Sequence, residues 1–260
     1  MKKLTFLLLS SVASALFQAQ AQDPPILAPN FQDGLFFQGD KGKEAVPNDG
    51  SAGGLFIAHQ GDGTLEVAKS DLGDKKVLKL SPTAVTSHSA LNLPCLVFEE
   101  MPPDFPRGIT LQARIKPDPD WLLPSVDVFC GRSSDRGPGI GVLYRPESRL
   151  VDVLSGPGGY DQEVWGIVSK SESAIPAYSW AHIAAVYDPE AKQFRLYVNG
   201  ELAVESEKGL ALTPLDKTFA IGAYRGGYAY PFRGEIADIA VYDYVRSPEQ
   251  IRADAAENTQ

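Results

Sequence analysis

Apolar and polar residues alternate along several short stretches of the chain, most clearly at 109–115 and 193–198. Because successive side chains of a β-strand point to opposite faces, this period predicts strands with one buried face and one solvent-facing side. Shorter apolar runs between turn residues predict further strands at 34–37, 54–58, 77–80, 90–93, 126–130, 141–144, 150–154, 163–168, 182–187, 202–204, 219–222 and 236–242. Many short strands at this spacing predict an all-β sandwich or barrel.

Turn and cap residues complete this picture. Asn199-Gly200 lies between two of the runs, and this pair is a strong hairpin signal because both residues tolerate a positive φ. A helix is predicted near the C-terminus, where Ser247 can cap the first turn, Pro248 suits the first helical position and Glu249 complements the helix dipole. We therefore predict an antiparallel β-sandwich with a short C-terminal helix.

The first 21 residues have the three-part layout of a secretory signal peptide. Lys2 and Lys3 precede the apolar run 4–17, and Ala19-Gln20-Ala21 follows with small residues where a signal peptidase reads. The apolar run is too short for a membrane-spanning helix. We expect cleavage after Ala21, which leaves 22–260 as a single domain in the periplasm or outside a bacterial cell.

The charge of the chain narrows the choice of partner. With 24 basic and 33 acidic residues, the formal net charge is −9. An acidic protein is repelled by phosphate backbones and anionic lipid surfaces. The composition therefore argues against nucleic acid or an anionic membrane as the partner.

Two cysteines, Cys95 and Cys130, each lie in an apolar, strand-like stretch. In an oxidising compartment they can form a disulfide if the fold brings them together. The alternative is a pair of buried free thiols, and the sequence leaves both readings open because it does not give the separation of the two residues.

The glycine-rich segment 222–233 is the strongest candidate for a binding site. Sugars present apolar C–H faces, so carbohydrate sites combine aromatic rings with a few fixed polar groups. The segment supplies three tyrosines and two arginines, and other aromatic residues, Trp121 among them, are expected nearby. The residues predicted to bind the ligand are Tyr224, Arg225, Tyr228, Tyr230, Arg233, Tyr160 and Trp165. The two arginines in an acidic protein favour a carboxylated or sulfated ligand.

Several motifs follow one another in the last third of the chain. They are Trp180-Ala181-His182, Tyr187-Asp188, Leu196-Tyr197-Val198-Asn199-Gly200, Phe232-Arg233-Gly234-Glu235-Ile236, Val241-Tyr242 and Ser247-Pro248-Glu249-Gln250-Ile251. In this order they resemble the laminin-G-like jelly rolls of the concanavalin A-like lectin/glucanase superfamily. The resemblance implies a concanavalin A-like jelly roll, a fold that hosts lectins, adhesion modules, hydrolases and lyases alike. We interpret Trp180 and His182 as packing residues.

The resemblance also raises the question of calcium. In many relatives the last strand reads Ile-Asp-(Asp/Glu)-Val, and its first Asp helps to hold a structural Ca²⁺. Here Ala237 occupies that position, and Asp238, one residue on, is expected to face the opposite side of the strand. Ca²⁺ stays open without an assigned ligand set, because acidic, glycine-rich loops can supply oxygens at Asp33, Asp40, Asp49 and Asp62.

Catalytic motifs are missing from the sequence. Laminarinase-type relatives carry Glu-x-Asp-x-(x)-Glu on one strand face, because retaining hydrolysis needs two carboxyl groups only about 5 Å apart. Neither that run nor Gly-x-Ser-x-Gly occurs, and His59, His88 and His182 lack the spacing of metal ligands. The nearest carboxylate pairs adjoin turns, at 118–120, 161–163 and 205–207.

These observations favour a secreted, non-catalytic, lectin-like protein that binds a polysaccharide or other glycan. Two alternatives stay open: an adhesion module whose partner is a cell-surface protein, and a glycan-active hydrolase with an unrecognised site. Aromatic residues gathered on one face favour the first function, and a broad apolar patch favours the adhesion module. Carboxylates or histidines with perturbed pKa values in a cleft favour the hydrolase.

Overall fold

The computed structural model describes residues 23–38, 43–83, 93–120, 123–132, 139–156, 166–170 and 174–257. The predicted signal peptide lies outside these residues. Within them the chain forms the strands β1 (Phe36–Gln38), β2 (Lys43–Pro47), β3 (Leu55–His59), β4 (Gly63–Lys69), β5 (Lys76–Pro82), β6 (Cys95–Phe98), β7 (Ile109–Pro117), β8 (Val126–Cys130), β9 (Gly139–Arg145), β10 (Leu150–Gly156), β11 (Gly166–Lys170), β12 (Ala181–Asp188), β13 (Gln193–Val198), β14 (Glu201–Glu205), β15 (Phe219–Ile221) and β16 (Gly234–Tyr242), and the helix α1 (Pro248–Ala256). The described part contains no helix with the length and hydropathy needed to cross a bilayer.

The strands form two antiparallel sheets that pack face to face, which confirms the predicted β-sandwich. One sheet has nine strands in the order β1-β2-β3-β6-β15-β8-β9-β10-β11, and the other has seven in the order β14-β13-β12-β7-β16-β5-β4. The predicted hairpin joins β13 and β14, where Asn199 and Gly200 have φ values of 52° and 82°. Sequence analysis missed β2 and β4; β4 is an edge strand with exposed polar residues, so its apolar pattern is weak.

The predicted C-terminal helix is confirmed together with its cap. The Ser247 hydroxyl accepts a hydrogen bond from the backbone N–H of Gln250, and the Gln250 side chain accepts one from the backbone N–H of Ser247. This reciprocal capping box satisfies two backbone donors that the first turn of a helix leaves without partners. Ile251 of α1 packs on Ala184 and Val186, so the helix covers the outer face of the seven-stranded sheet.

Because of this cover, β7 is not half-exposed as its alternating pattern predicted. Its apolar residues face the core between the sheets, and its polar residues Gln112 and Arg114 are buried on the outer face. The Arg114 guanidinium donates to the α1 carbonyls of Asp254 and Ala255, each at 2.8 Å, and to the Asp238 carboxylate at 3.0 Å. The prediction of a solvent-facing side was therefore wrong at this strand.

Trp180 and His182 also lie on the outer face of the seven-stranded sheet. Trp180 packs against a small apolar cluster that includes Val77, and its indole N–H donates to Asp71 at 2.8 Å. His182 is 2 % exposed, and its pKa is lowered to about 4, chiefly by burial and then by the neighbouring charge of Arg114. Both residues pack, as expected, but outside the core that the two sheets enclose.

Candidate functional site

The segment 222–233, which we call the tyrosine loop, connects β15 to β16 and lies on the outer face of the nine-stranded sheet. Phe219 and Ile221 point into the core, so Ala220 between them faces outward. Ala223 packs on Cys95 and Val97 of β6, and Tyr224 packs on Ala220 and Cys130. The loop therefore covers the outer side of β6, β15 and β8.

Backbone hydrogen bonds hold the tyrosine loop at its tip and at its base. At the tip, the Leu93 N–H donates to the Gly227 carbonyl at 2.9 Å. A Cβ at Gly227 would lie 2.6 Å from the Leu93 carbonyl oxygen, so the close approach requires glycine. At the base, the Asp127 N–H donates to the Tyr230 carbonyl at 2.9 Å. The loop is thus anchored at its tip and at its base.

Tyr224 lies at the centre of an aromatic cluster. Its ring is 1 % exposed, and the rings of Tyr228 and Tyr230 meet it edge-on, with centroids 6.3 and 6.0 Å away. This is a favoured geometry for aromatic pairs. Tyr224 was predicted to contact the ligand, but its burial leaves almost no ring surface for one. It supports the other two rings instead.

The other residues of the loop present aromatic and cationic groups to solvent. Tyr228 is 43 % exposed, Tyr230 is half-buried and Arg225 is exposed. The Arg225 guanidinium lies 6.0 Å from the centroid of the Tyr224 ring. Tyr228, Tyr230 and Arg225 are therefore brought together on one surface, as the sequence predicted for a binding site.

A buried ion pair lies under the loop, and sequence analysis missed it. Arg132 donates to Asp127 at 2.8 Å, and its guanidinium also lies 5.1 Å from the centroid of the Tyr224 ring. Asp127 has 0 % exposure, and Gly141 makes room for the arginine because a Cβ there would lie 2.8 Å from Arg132 Nε. Arg132 therefore joins the buried carboxylate to the aromatic cluster.

A second buried carboxylate, Asp152, pairs with Arg145 on the neighbouring strand of the same face. The signal for both pairs was present in the sequence. Val126-Asp127-Val128 and Val151-Asp152-Val153 each place one carboxylate at an outward position of an apolar run. Alternation alone predicts such a residue to be exposed, so its burial and its partner could not be inferred.

A groove of about 340 Å³ lies on the same outer face. It passes over Leu55 and Ile57, and Lys43, Glu99 and Glu100 supply charged groups around it. Ile57 pairs with Val97, the residue on which the tyrosine loop packs. The volume is within the range of small-ligand pockets, so the groove extends the candidate surface beyond the loop.

Arg233 does not join the other predicted residues. Its guanidinium forms an ion pair with Asp118 at 2.7 Å. The same carboxylate accepts a hydrogen bond from the hydroxyl of Tyr178, which also bonds to Asp120. The Arg233 side chain thus binds a carboxylate at the end of the loop, and its predicted contact with the ligand stays a prediction. Tyr160 and Trp165, and also Trp121, lie outside the described residues, so their predicted role stays a prediction.

In the described part of the chain, Asp118, Asp120 and Glu205 of the predicted carboxylate pairs contact other protein side chains. Asp118 and Asp120 share the Tyr178 hydroxyl near the surface. Glu205 forms an ion pair with Arg195 at 2.9 Å, on the edge strand β14. The third pair, 161–163, lies outside the described residues.

Cys95 and Cys130 are free, buried thiols beneath the loop. They lie on β6 and β8, and β15 runs between these strands. Neighbouring strands are about 4.8 Å apart, so the two Cα atoms are separated by about 10 Å. A disulfide needs Cα atoms within about 7 Å, so the structure excludes this alternative. Burial, and then the proximity of Cys130, raise the pKa of the Cys95 thiol.

Asp238 was expected to face the opposite side of β16 from Ala237, and this expectation was wrong. The register of β16 shifts between Ala237 and Ala240, and Asp238 has a φ of 47°. This bulge turns the carboxylate onto the outer face, where it pairs with Lys75 at 2.6 Å and Arg114 at 3.0 Å. Two cationic side chains bind its oxygens, so the position does not fit Ca²⁺. Among the described residues, no group of three His, Cys, Asp or Glu side chains could hold a metal ion.

Comparisons with known proteins agree with this architecture. A laminin G family model, described as the concanavalin A-like lectin/glucanases superfamily, matches residues 84–252. The botulinum neurotoxin serotype D binding domain superposes with a TM-score of 0.55 at 15 % identity, over 90 % of this chain and 51 % of that chain. This chain thus spans about half of that protein.

Two further solved structures are more distant in shape. A heptameric SAP-like pentraxin from Limulus polyphemus has a TM-score of 0.48 at 19 % identity, over 62 % of this chain and 75 % of that chain. The CBM40 of Ruminococcus gnavus IT-sialidase, bound to α2,3-sialyllactose, has a TM-score of 0.46 at 20 % identity, over 58 % and 83 %. Among curated proteins, none matches the sequence.

Proposed function

Because the chain belongs to the concanavalin A-like lectin/glucanase superfamily, we propose that it binds carbohydrate, without catalysis, through the tyrosine loop. The observation that carries the proposal is the presentation of Tyr228 and Tyr230 on the buried ring of Tyr224. Exposed aromatic rings can stack on the apolar C–H faces of sugars. The charged side chains of Arg225 and of the adjoining groove supply hydrogen-bonding groups for sugar hydroxyls.

The way in which the loop is held supports this function. A tyrosine has few rotatable bonds, so fixing its ring costs little conformational entropy. Here Tyr224 already supports both rings, and the backbone is anchored at Leu93 and Asp127. Less ordering is then required when a ligand binds, and this preorganisation strengthens binding.

The experiment is a glycan array screened with residues 22–260 and with the double variant Tyr228→Ala, Tyr230→Ala. The matched control is Tyr178→Ala, because Tyr178 is 51 % exposed and its hydroxyl bonds to Asp118 and Asp120, not to Tyr228 or Tyr230. We expect wild type and control to bind the same glycans, and the double variant to lose at least about tenfold in affinity. EDTA is expected to leave binding unchanged, since Lys75 and Arg114 bind the Asp238 carboxylate.

Two outcomes would contradict the proposal. One is a folded wild-type protein that binds no glycan, which would favour a protein partner. The other is equal binding by the wild type and the double variant, which would place the site away from the tyrosine loop.

Export of the protein is part of the same proposal. The N-terminal signal predicts that the mature chain starts at Gln22. Mass spectrometry of the protein from the producing cells tests this directly. A mature protein that retains Met1 and Lys2 in the cytoplasm would contradict it.

A further inference from the structure

We propose that Arg225 is a specificity-determining residue, and that the tyrosine loop selects glycans bearing a carboxylate or sulfate group. The inference rests on the proposed function and names the chemical class of its ligand. It depends on three properties of Arg225: its backbone conformation, its lack of an ion pair within the described residues, and its position beside the aromatic cluster.

The first property is the backbone conformation. Arg225 and Gly226 have φ values of 46° and 68°, and the Gly227 N–H donates to the Tyr224 carbonyl at 3.1 Å. These features define a tight turn with two left-handed residues, a turn that strongly favours Asn or Gly at its first central position. Arginine is disfavoured in this conformation. Residues held in unfavourable backbone conformations are common at ligand-binding sites, where the position of the side chain serves binding.

The second property is the availability of the guanidinium. Every other described arginine except Arg149 forms an ion pair with an Asp or Glu side chain; these are Arg107, Arg114, Arg132, Arg145, Arg195, Arg233, Arg246 and Arg252. Arg225 is exposed and forms no ion pair with the described residues. In a chain of net charge −9, a guanidinium that no described carboxylate binds is available to an anionic ligand.

The third property is the position of Arg225 relative to the rings. Its guanidinium lies 6.0 Å from the Tyr224 centroid, and Tyr228 and Tyr230 pack on the same ring. A sugar stacked on the exposed rings would therefore place its substituents near Arg225. The buried carboxylate under the loop, Asp127, is paired with Arg132.

The guanidinium fork matches the planar oxygens of a carboxylate and two oxygens of a sulfate, in both cases by two parallel hydrogen bonds. The rings limit the ligand further, since they require an apolar sugar face beside the anion. The geometry therefore favours an acidic glycan.

The test measures binding of the wild type, Arg225→Gly and Arg225→Asn to three polysaccharides. Alginate supplies carboxylates, carrageenan supplies sulfates, and laminarin is neutral. Glycine and asparagine both tolerate the left-handed conformation, so either variant removes the guanidinium without straining the turn. The matched control is Arg149→Gly, because Arg149 is also exposed, has a φ of 59° and forms no ion pair with the described residues.

We expect the wild type to bind alginate or carrageenan at least about tenfold more tightly than laminarin, the factor of one charge-assisted contact. Both Arg225 variants should lose this preference, and Arg149→Gly should keep it. The acidic polysaccharide that binds more tightly identifies the anion. Circular dichroism and thermal unfolding should show that the variants are folded.

The outcomes separate this inference from the proposed function. Equal binding of acidic and neutral glycans that still depends on Tyr228 would overturn the role of Arg225 and leave carbohydrate binding in place. Loss of the acidic preference in Arg149→Gly as well would show general attraction, not selection by Arg225, and would also overturn it. No binding to any glycan would overturn both.

Discussion

The outer faces of the two sheets use buried arginines in two different ways. On the seven-stranded sheet, Arg114 binds the last carbonyls of α1 and Asp238, and the helix closes over His182 and Gln112. On the nine-stranded sheet, Arg132 binds Asp127 and stacks on Tyr224, but the covering loop leaves aromatic rings exposed. Arg114 thus fixes a helix that buries one outer face, whereas Arg132 supports a loop whose aromatic rings remain exposed to solvent.

This difference suggests where stability and function lie. The helix-covered face contributes buried contacts, a capped helix and several ion pairs, all of which stabilise the fold. The loop-covered face carries Tyr228 and Arg225, whose side chains remain exposed to solvent. Changes on the first face should therefore affect stability most, and changes on the second should affect binding.

The largest effect is expected from Arg114→Met. It removes the donor of three hydrogen bonds, to Asp238 and to two carbonyls of α1. At about 1.5 kcal/mol for each hydrogen bond of a charged group, the expected loss is about 4 kcal/mol. Urea denaturation measures the free energy of unfolding. The control Arg195→Met breaks partly exposed pairs with Asp188 and Glu205, for which a loss of at most about 1 kcal/mol is expected. Similar losses for both variants would contradict the special role of Arg114.

The next effect is a dependence of stability on pH at His182. Its pKa is lowered to about 4 by burial and then by Arg114, with Arg246 also opposing its charge and Asp254 and Asp238 favouring it. Between pH 6.5 and pH 4, His182 binds a proton in the unfolded chain but stays neutral in the folded chain. Stability is therefore full above pH 6.5 and falls as the pH approaches 4, by up to about 3 kcal/mol.

The variant His182→Leu isolates this contribution. The difference between the pH profiles of wild type and variant should vary between pH 6.5 and 4 and be flat above pH 7. Urea titrations at a series of pH values measure it. Parallel profiles through this range would show that His182 does not titrate differently in the folded and unfolded states.

A smaller effect is expected from Arg132→Lys on the loop-covered face. Lysine keeps the charge next to Asp127 but loses the planar group over the Tyr224 ring, a contact worth up to about 2 kcal/mol when desolvated. Because the loop covers Cys95 and Cys130, its loosening should also speed their reaction with a thiol reagent. Arg195→Lys is the control, and equal labelling rates in both variants would contradict the supporting role of Arg132.

The smallest effect is expected from Ser247→Ala, which removes the cap of α1. Loss of such a cap costs about 1 kcal/mol. Glycan binding should be unchanged, since the helix lies on the opposite face of the sandwich. Ser51→Ala, at an exposed turn, should leave both stability and binding as they are. A loss of glycan binding in Ser247→Ala would show that the two faces are not independent.

Much of the fold could be predicted from local signals. The positions of most described strands, the Asn199-Gly200 hairpin and the Ser247 cap are confirmed, and each depends on residues close together in the chain. The edge strand β4 was missed because few of its residues are buried. The bulge at Asp238 was missed because a register shift depends on the neighbouring strand, β7, and not on the local pattern.

The candidate site could be predicted only in part. A cluster of tyrosines and arginines in a glycine-rich segment is visible in the sequence, and the structure brings Arg225, Tyr228 and Tyr230 together. The sequence did not distinguish Arg225 from Arg233, because both lie in the same glycine- and tyrosine-rich segment. Asp118, from a distant part of the chain, forms an ion pair with Arg233, and the sequence pattern did not predict this pair.

The sequence by itself therefore determined the all-β class, the turns, the terminal helix and the segment that carries the exposed aromatic residues. These follow from side-chain period and turn chemistry, which act between near neighbours. Only the tertiary structure decided which tyrosine is buried, which of the described arginines form ion pairs, and that Cys95 and Cys130 do not pair. Burial and ion pairing depend on residues far apart in sequence, and their positions are set only when the two sheets and their covering segments pack together.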